Sequence, residues 1–165
     1  MNYALIGFWF MNMKKNNISM VELLPFIQEA FEKNTTFKIP ITGTSMNPFL
    51  VEGRDYVLIK KPEFPLEIGD IPLYRRDSGT FVLHRVVDKK DGGYIMCGDN
   101  QFLLEKGITD EHVIGVVCSI CQDGKLFDVD DGEYLKYKSK YIKNVKTRYP
   151  LRRLRYRLYR LRHGK

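Results

Sequence analysis

The sequence predicts a mainly β domain with a helix at each end. Seven short segments between residues 37 and 129 are rich in β-branched and aromatic side chains, and Gly, Pro, Asp or Asn lies in or beside most of the breaks between them. Helical periodicity is confined to the stretch before residue 34 and the stretch after residue 133. With 165 residues, 44% of them apolar, the chain has the size and composition of one globular domain.

The first predicted helix begins at a capping box. Ser19 is followed three residues later by Glu22, and the apolar pattern fades at about Lys33. Pro25 falls beyond the first turn, so we expect it to remove one backbone hydrogen bond. The apolar positions at helical spacing are Met20, Leu24, Ile27 and Phe31.

Residues 1–18 form an apolar segment ahead of this helix. Its nine-residue apolar run at 3–11 would cover about 14 Å as a helix, too short for a hydrocarbon core of about 30 Å. Lys14 and Lys15 follow that run, whereas a secretory signal places basic residues before it. Three interpretations stay open: a segment packed on the domain, a shallow anchor in the membrane interface, or a later translation start. The candidate starts are Met11, Met13 and Met20.

The predicted strands follow from alternation and turn residues. Asp91-Gly92-Gly93 and Asp123-Gly124 are typical of tight hairpin turns. We assign residues 19–133 to one domain with its functional core at 37–120, and residues 134–165 to a basic helical tail. The predicted strands are 37–42, 56–60, 71–74, 80–87, 94–97, 113–120 and 126–129.

Charge is divided sharply along the chain. Residues 134–165 hold 13 of the 27 Lys and Arg residues and no Asp or Glu, which leaves 14 basic against all 20 acidic residues before them. The tail has helical periodicity, with leucines on one face, arginines around the rest and Pro150 near a first turn. The leucines are Leu151, Leu154, Leu158 and Leu161, and the arginines are Arg152, Arg153, Arg155, Arg157, Arg160 and Arg162.

A basic amphipathic helix of this kind favours docking to an anionic membrane surface, where the leucines insert below the arginines. Binding to the phosphate backbone of a nucleic acid is the second interpretation. A solvated helix that packs its leucines on the domain is the third.

Cysteine usage bears on compartment and cofactors. Cys97, Cys118 and Cys121 are too few for a disulfide framework, which indicates a reducing compartment. The Cys-x-x-Cys spacing of the last two lacks the second pair that a structural zinc site needs, so we expect buried thiols and neither metal nor cofactor. The expected location is the cytoplasm or the periphery of the cytoplasmic membrane.

A candidate nucleophile, Ser45, lies in the Gly-Thr-Ser-Met-Asn-Pro segment at 43–48. A serine hydroxyl needs a neighbouring base to take its proton and donors that await the oxyanion. Gly43 permits backbone angles and a close substrate approach that a Cβ would obstruct, and Pro48 stiffens the exit from the turn. The expected oxyanion donor is the main-chain N–H of Ser45, aided by the Thr44 hydroxyl.

The candidate general base, His84, lies 39 residues after Ser45. Strand alternation puts Val82, His84 and Val86 on one face and Arg85 on the other, so the imidazole has apolar neighbours. A partly desolvated imidazole keeps its pKa near neutrality or below, which suits a general base.

Four segments together resemble the type I signal peptidases and the related self-cleaving repressor peptidases: residues 43–48, 69–71 (Gly-Asp-Ile), 82–87 and 98–100 (Gly-Asp-Asn). The similarity covers about residues 39–117. At the position of His84 most bacterial enzymes have Lys, and the endoplasmic-reticulum and archaeal enzymes have His, so this chain resembles the histidine branch.

The resemblance implies a compact signal-peptidase-like β fold and a serine endopeptidase that cleaves a signal, leader or precursor peptide. Ser45 would attack the scissile carbonyl, and His84 would act as general base and then acid. Asp99 of the Gly-Asp-Asn segment would orient His84, with Glu105 and Asp110 as alternatives. Gly43 departs from the signal peptidases, which usually carry Ser there, and is closer to the Gly-x-Ser-Met of the repressor peptidases.

Two other functions stay open. A repressor-like regulatory peptidase would cut itself at a small-residue pair, yet the chain has only Ala4 and Ala30 as alanines and no Ala-Gly bond. A non-catalytic binding module, whose basic tail binds nucleic acid or membrane, would be expected to have lost Ser45 or His84. We therefore expect a serine endopeptidase whose partner is a peptide or preprotein substrate.

Overall fold

The computed structural model describes residues 19–101 and 103–163, with the side chains at 146–153, 155, 156, 159 and 163 left out. The chain divides into a unit that ends at Thr35 and a unit that begins at Thr36. The three interpretations of the segment at 1–18 lie outside the described residues.

The first helix, α1, confirms the capping-box prediction and spans Met20–Glu32. Ser19 Oγ accepts a hydrogen bond from the Glu22 N–H at 3.4 Å, and Glu22 Oε2 accepts one from the Ser19 N–H at 2.7 Å. Pro25 lies inside the helix, beyond its first turn, as predicted. The buried side chains of α1 are Leu23 and Ile27.

The second unit is mainly β, and all seven predicted strand segments form strands. A 3-10 turn at Asp110–His112 precedes β8, and the second helix, α2, ends the described chain. The strands are β1 (Phe37–Pro40), β2 (Tyr56–Lys60), β3 (Pro72–Arg75), β4 (Phe81–Leu83), β5 (Arg85–Lys90), β6 (Gly93–Cys97), β7 (Glu105–Ile108), β8 (Val113–Gln122) and β9 (Lys125–Asp128).

These strands form two antiparallel sheets within the described residues. One sheet has the order β1-β2-β8-β3-β4, with β9 paired to β8, and the other has the order β5-β6-β7. The predicted strand at 80–87 is therefore two strands, because the chain passes from one sheet to the other at His84. This crossing places the candidate base at the junction of the sheets.

Both predicted Asp-Gly hairpin turns are confirmed. Asp91 and Gly92 have φ of 53° and 78° between β5 and β6, and Asp123 and Gly124 have φ of 51° and 79° between β8 and β9. Positive φ at two successive residues matches the twist of the strands that such a turn connects.

Two apolar clusters lie on opposite sides of β5. Val86 belongs to the first cluster, with Val82 packed against it, whereas Val87 belongs to the second, with Tyr141 of α2. The alternation predicted for this segment is therefore confirmed on either side of His84. The first cluster comprises Leu66, Tyr74, Val86, Tyr94, Met96, Ile108 and Val116, and the second comprises Val87, Ile95, Cys97 and Tyr141.

The second helix, α2, spans Gly132–His163 and begins two residues before the helical tail assigned to residues 134–165. Asp131 Oδ1 accepts a hydrogen bond from the Glu133 N–H at 2.8 Å at its start. The prediction that Pro150 stands near a first turn is wrong, because the first part of α2 packs on the β unit and extends the helix towards the N-terminus. The tyrosines that make this contact are Tyr134, Tyr137 and Tyr141.

Neither helix, over the residues that are described, combines the length and the apolar character needed to cross a membrane.

Candidate active site

Ser45 lies on an open turn. The Asn47 N–H donates to the Thr44 carbonyl at 3.2 Å, which places Ser45 at the first central position of the turn. Gly43 has φ of 73°, a left-handed conformation that favours glycine, and a Cβ at Gly43 would meet nothing within 4 Å. The turn therefore leaves open space beside Gly43, two residues before the serine.

The Gly-Asp-Asn segment holds this turn in place. The Asn100 N–H donates to the Ser45 carbonyl at 2.8 Å, and Asn100 Nδ2 donates to the Thr44 carbonyl at 3.2 Å. These two bonds fix the carbonyl groups on both sides of Ser45. The motif thus acts on the serine through Asn100.

Gly98 brings the serine and the histidine together. A Cβ built on Gly98 would lie 2.6 Å from the Ser45 carbonyl oxygen and 3.1 Å from His84 Cδ2. The two atoms are therefore no farther apart than the sum of these distances. Because the shorter distance is to backbone, glycine is required at this position for the three segments to approach.

His84 is buried, with 2% of its surface exposed. Its Nδ1 lies 3.2 Å from the Tyr74 hydroxyl and 3.9 Å from Glu105 Oε2, while its Cδ2 edge faces Gly98. Burial lowers the pKa of His84 to about 4; Glu105 opposes this shift and Arg76 adds to it. The imidazole is therefore neutral at pH 7, and one of its two ring nitrogens is a hydrogen-bond acceptor.

Glu105 and Arg76 anchor the far side of this contact. The Tyr74 hydroxyl donates to Glu105 Oε2 at 2.9 Å, and Arg76 Nε and Nη2 donate to the two carboxylate oxygens, each at 2.6 Å. Although burial opposes ionisation, the bonds from Arg76 and Tyr74 hold the pKa of Glu105 below its ordinary value. Glu105 is therefore a carboxylate at neutral pH.

Asp99, the expected orienting acid, does not contact His84. Its carboxylate accepts two hydrogen bonds from Arg85, at 3.0 Å from Nε and 2.8 Å from Nη2, and a third from the Tyr137 hydroxyl at 3.1 Å. Arg85 points to the opposite face of the strand from His84, so Asp99 is drawn to that face. Both charged side chains are fully buried, at 0% exposure.

Asp110 and Glu105, the two alternatives to Asp99 for orienting His84, have different partners. Asp110 accepts a hydrogen bond from the Tyr94 hydroxyl, in the first apolar cluster. Glu105 Oε2 lies 3.9 Å from His84 Nδ1 and accepts the hydrogen bond of the Tyr74 hydroxyl, so among the three candidate acids it is the one that lies within 4 Å of the candidate base.

Arg85 is a buried residue that the sequence reasoning did not single out. Its Nη1 donates to the Gly69 carbonyl at 3.1 Å and to the Tyr134 hydroxyl at 2.8 Å, so Arg85 joins the site to the start of α2. Burial opposes its charge, but Asp99 and Tyr134 hold the pKa of Arg85 above its ordinary value. An arginine among buried valines is a signal for an acidic partner, because buried charges require pairing.

The oxyanion donors expected on the turn are available. Within residues 19–101 and 103–163, no hydrogen bond engages Ser45 N, Ser45 Oγ or the Thr44 hydroxyl, and none joins Ser45 Oγ to His84. Three polar groups of this turn therefore have no hydrogen-bond partner among the described residues, and the turn meets the His84 ring at Gly98. The site therefore contains a serine hydroxyl, a neutral imidazole and two further hydrogen-bond donors, which are the types of group that acyl transfer requires.

A scan against models of protein families finds no match for this chain, and a search of curated proteins finds none either.

The distal part of α2 exposes apolar and basic side chains together. Leu154, Leu158 and Leu161 are 55%, 56% and 83% exposed, so the interpretation that the leucines pack on the domain is wrong for these three. Arg157 and Arg162 are also exposed. The side chains of the other predicted contact residues, Leu151, Arg152, Arg153 and Arg155, lie outside the described residues.

Proposed function

We propose that this chain is a serine endopeptidase of the signal-peptidase-like class that cleaves a signal, leader or precursor peptide. The observation that carries the proposal is Gly98, whose Cα faces both the Ser45 backbone and the His84 ring. The mainly β unit, with the serine on an open turn and the histidine between two sheets, supports the resemblance stated above.

The first step is attack of Ser45 Oγ on the scissile carbonyl carbon. As the new bond forms, the hydroxyl proton passes to His84 Nε2, and the carbonyl oxygen becomes an oxyanion that accepts hydrogen bonds from the Ser45 N–H and the Thr44 hydroxyl. His84 then gives this proton to the leaving amine nitrogen as the C–N bond breaks. A water molecule, deprotonated by the same imidazole, then attacks the acyl carbon; the ester bond to Ser45 Oγ breaks, and Oγ takes the proton back from His84.

Two features of the site suit this cycle. A neutral His84 is present at pH 7, so no base has to be generated before attack. The missing hydrogen bond between Ser45 Oγ and His84 is compatible with the reaction, because catalytic hydrogen bonds are often long without substrate and shorten when it binds.

The proposal is tested by incubating the protein with a library of synthetic peptides and identifying the products by mass spectrometry. We expect defined internal cuts with wild type and none with Ser45→Ala, which removes one oxygen from a half-buried side chain. Equal cutting by both proteins would refute the proposal. The residue types at the cut sites would give the substrate preference.

The distal part of α2 favours an anionic membrane surface as the place where this peptidase acts. Leu154, Leu158 and Leu161 lie on one helix face, at spacings of four and three residues, and are exposed. A nucleic-acid backbone would use the arginines alone, whereas a membrane interface accommodates leucines below the basic groups. The exposed apolar face is therefore the reason to prefer a membrane to a nucleic acid.

Replacing Leu154, Leu158 and Leu161 together with serine is expected to weaken binding to phosphatidylglycerol vesicles about 100-fold, at about 1 kcal/mol for each leucine. Vesicle co-sedimentation at fixed ionic strength measures this. A matched control replaces three leucines that are similarly exposed elsewhere, and we expect it to bind as wild type does. The control leucines are Leu103, Leu126 and Leu135, which are 59%, 57% and 44% exposed.

Unchanged vesicle binding by the triple variant would overturn the membrane proposal. Salt-sensitive binding to double-stranded DNA at the same ionic strength, equal in wild type and variant, would then favour the nucleic-acid interpretation.

A further inference from the structure

We propose that Tyr74, anchored by Glu105 and Arg76, is the positioning residue that fixes the tautomer and orientation of His84, in the role expected of an aspartate. This inference deepens the proposed function and rests on it. The four residues come from three segments: Tyr74 and Arg76 from the end of β3 and the residue after it, His84 from the junction of β4 and β5, and Glu105 from the start of β7.

Strand pairing sets the positions of these residues. Tyr74 on β3 pairs with Val82 on β4, two residues before His84, so the tyrosine ring and the imidazole lie on the same side of the chain crossing. Their ring centroids are 6.2 Å apart in an edge-on arrangement. Tyr74 is fully buried, so its hydroxyl depends on protein partners.

Donor counting gives the direction of each hydrogen bond. Glu105 is ionised and can only accept, so the single Tyr74 O–H proton is donated to Glu105 Oε2 at 2.9 Å. The contact of 3.2 Å between the Tyr74 oxygen and His84 Nδ1 then requires Nδ1 to carry the proton. A neutral imidazole with Nδ1–H has an unprotonated Nε2.

This tautomer is the one that the proposed reaction needs. Nε2 is bonded to Cδ2, and Cδ2 is the His84 atom that faces Gly98, beside the Ser45 backbone. The acceptor lone pair therefore lies on the ring edge towards the serine, while the proton lies on the edge towards Tyr74. The opposite tautomer would present an N–H to the serine and could not take its proton.

Arg76 fixes the ionisation and the orientation of the Glu105 carboxylate. Its two N–H groups occupy both Glu105 oxygens, which keeps the carboxylate ionised and aimed at the Tyr74 hydroxyl. Because the partly exposed Glu105 carboxylate holds the Tyr74 proton, the Tyr74 oxygen can only accept a hydrogen bond from the buried imidazole. An ion pair that served only to stabilise the surface would not require the tyrosine hydroxyl between its carboxylate and the histidine.

The first test measures the tautomer of wild type directly. Nitrogen-15 NMR of histidine-labelled protein at pH 7 distinguishes Nδ1–H from Nε2–H, and the His84 signals are assigned by their loss in His84→Gln. We expect Nδ1–H. An Nε2–H signal for His84 would overturn the proposal whether or not any peptide is cleaved, so its failure is distinguishable from failure of the proposed function.

The second test removes one hydroxyl. Tyr74→Phe is expected to mix the His84 tautomers and to lower kcat about 10- to 100-fold while KM stays near that of wild type. A kcat within twofold of wild type together with an unchanged Nδ1–H signal would overturn the positioning role.

The matched control is Tyr94→Phe. Tyr94 is also a buried tyrosine whose hydroxyl donates to a carboxylate, that of Asp110, and it accepts a hydrogen bond from the Leu66 N–H at 3.0 Å. We expect this variant to lose a comparable amount of stability and to keep the wild-type kcat and tautomer. An equal fall in kcat in both variants would assign the effect to general loss of structure and would overturn the proposal.

Discussion

Replacing His84 with glutamine is expected to reduce kcat/KM for peptide cleavage by at least about 10³-fold, because glutamine cannot accept the serine proton. The substitution keeps a neutral polar side chain of similar size at a site that is 2% exposed. Its amide can still donate to the Tyr74 oxygen. We therefore expect the fold to persist, and circular dichroism and thermal unfolding of the purified variant check this.

The pH profile of wild type examines the same residue. Since burial lowers the pKa of His84 to about 4, the base is neutral above that pH, and kcat/KM should fall on the acid side with a midpoint near 4. A midpoint near 6.5 would mean that the imidazole is solvated as cleavage begins.

The free energy of unfolding should also depend on the titration of His84, and it should fall as the pH falls. Between pH 6.5 and 4 the unfolded chain binds a proton at His84 that the folded chain excludes, so the free energy of unfolding falls as the pH falls through this window. His84→Gln lacks this titration, and its stability should fall less over the same range. Retention of wild-type activity by this variant would refute the assignment of His84 as the base.

Local signals were sufficient for much of the fold. The capping box at Ser19 and Glu22 defines α1, and the two Asp-Gly turns define hairpins because few other residues accept successive positive φ. β7 was not predicted, since Glu105–Ile108 has no alternation of apolar and polar residues and is a strand because it pairs with β6. Pro150 was expected near a first turn because the leucine periodicity begins at Leu151, whereas contacts with the β unit extend α2 to Gly132.

The residues of the candidate site likewise fall into those that local motifs indicate and those that only the folded chain brings together. Ser45 and His84 were recognisable from short motifs, and the structure brings their segments together at Gly98. Asp99 was expected to orient His84. Its partner is instead Arg85, the next residue along the chain, which points to the opposite face of the strand. Tyr74 and Glu105 are 31 residues apart in sequence and meet only in the folded chain, so no local pattern could indicate their contact.

Breaking the buried pair of Arg85 and Asp99 should strongly destabilise the β unit. Asp99→Asn keeps the shape of the side chain and removes the charge, which leaves Arg85 uncompensated at 0% exposure. We expect the free energy of unfolding, measured by urea titration, to fall by about 3 to 5 kcal/mol. The control Glu63→Gln breaks an exposed pair with Lys60, in which Glu63 is 84% exposed, and should change stability by no more than about 0.5 kcal/mol.

A double variant separates lost charge pairing from lost packing. Because the cost comes from an unpaired buried cation, Arg85→Met combined with Asp99→Asn should recover much of the stability that Asp99→Asn alone loses.

Peptide cleavage by Asp99→Asn is the second measurement, since Asp99 lies between Gly98 and Asn100, which contact the serine turn. If Asp99→Asn loses less than about 1 kcal/mol of stability but loses kcat as His84→Gln does, Asp99 acts on the imidazole during turnover. The contact with Arg85 would then have to open when substrate binds.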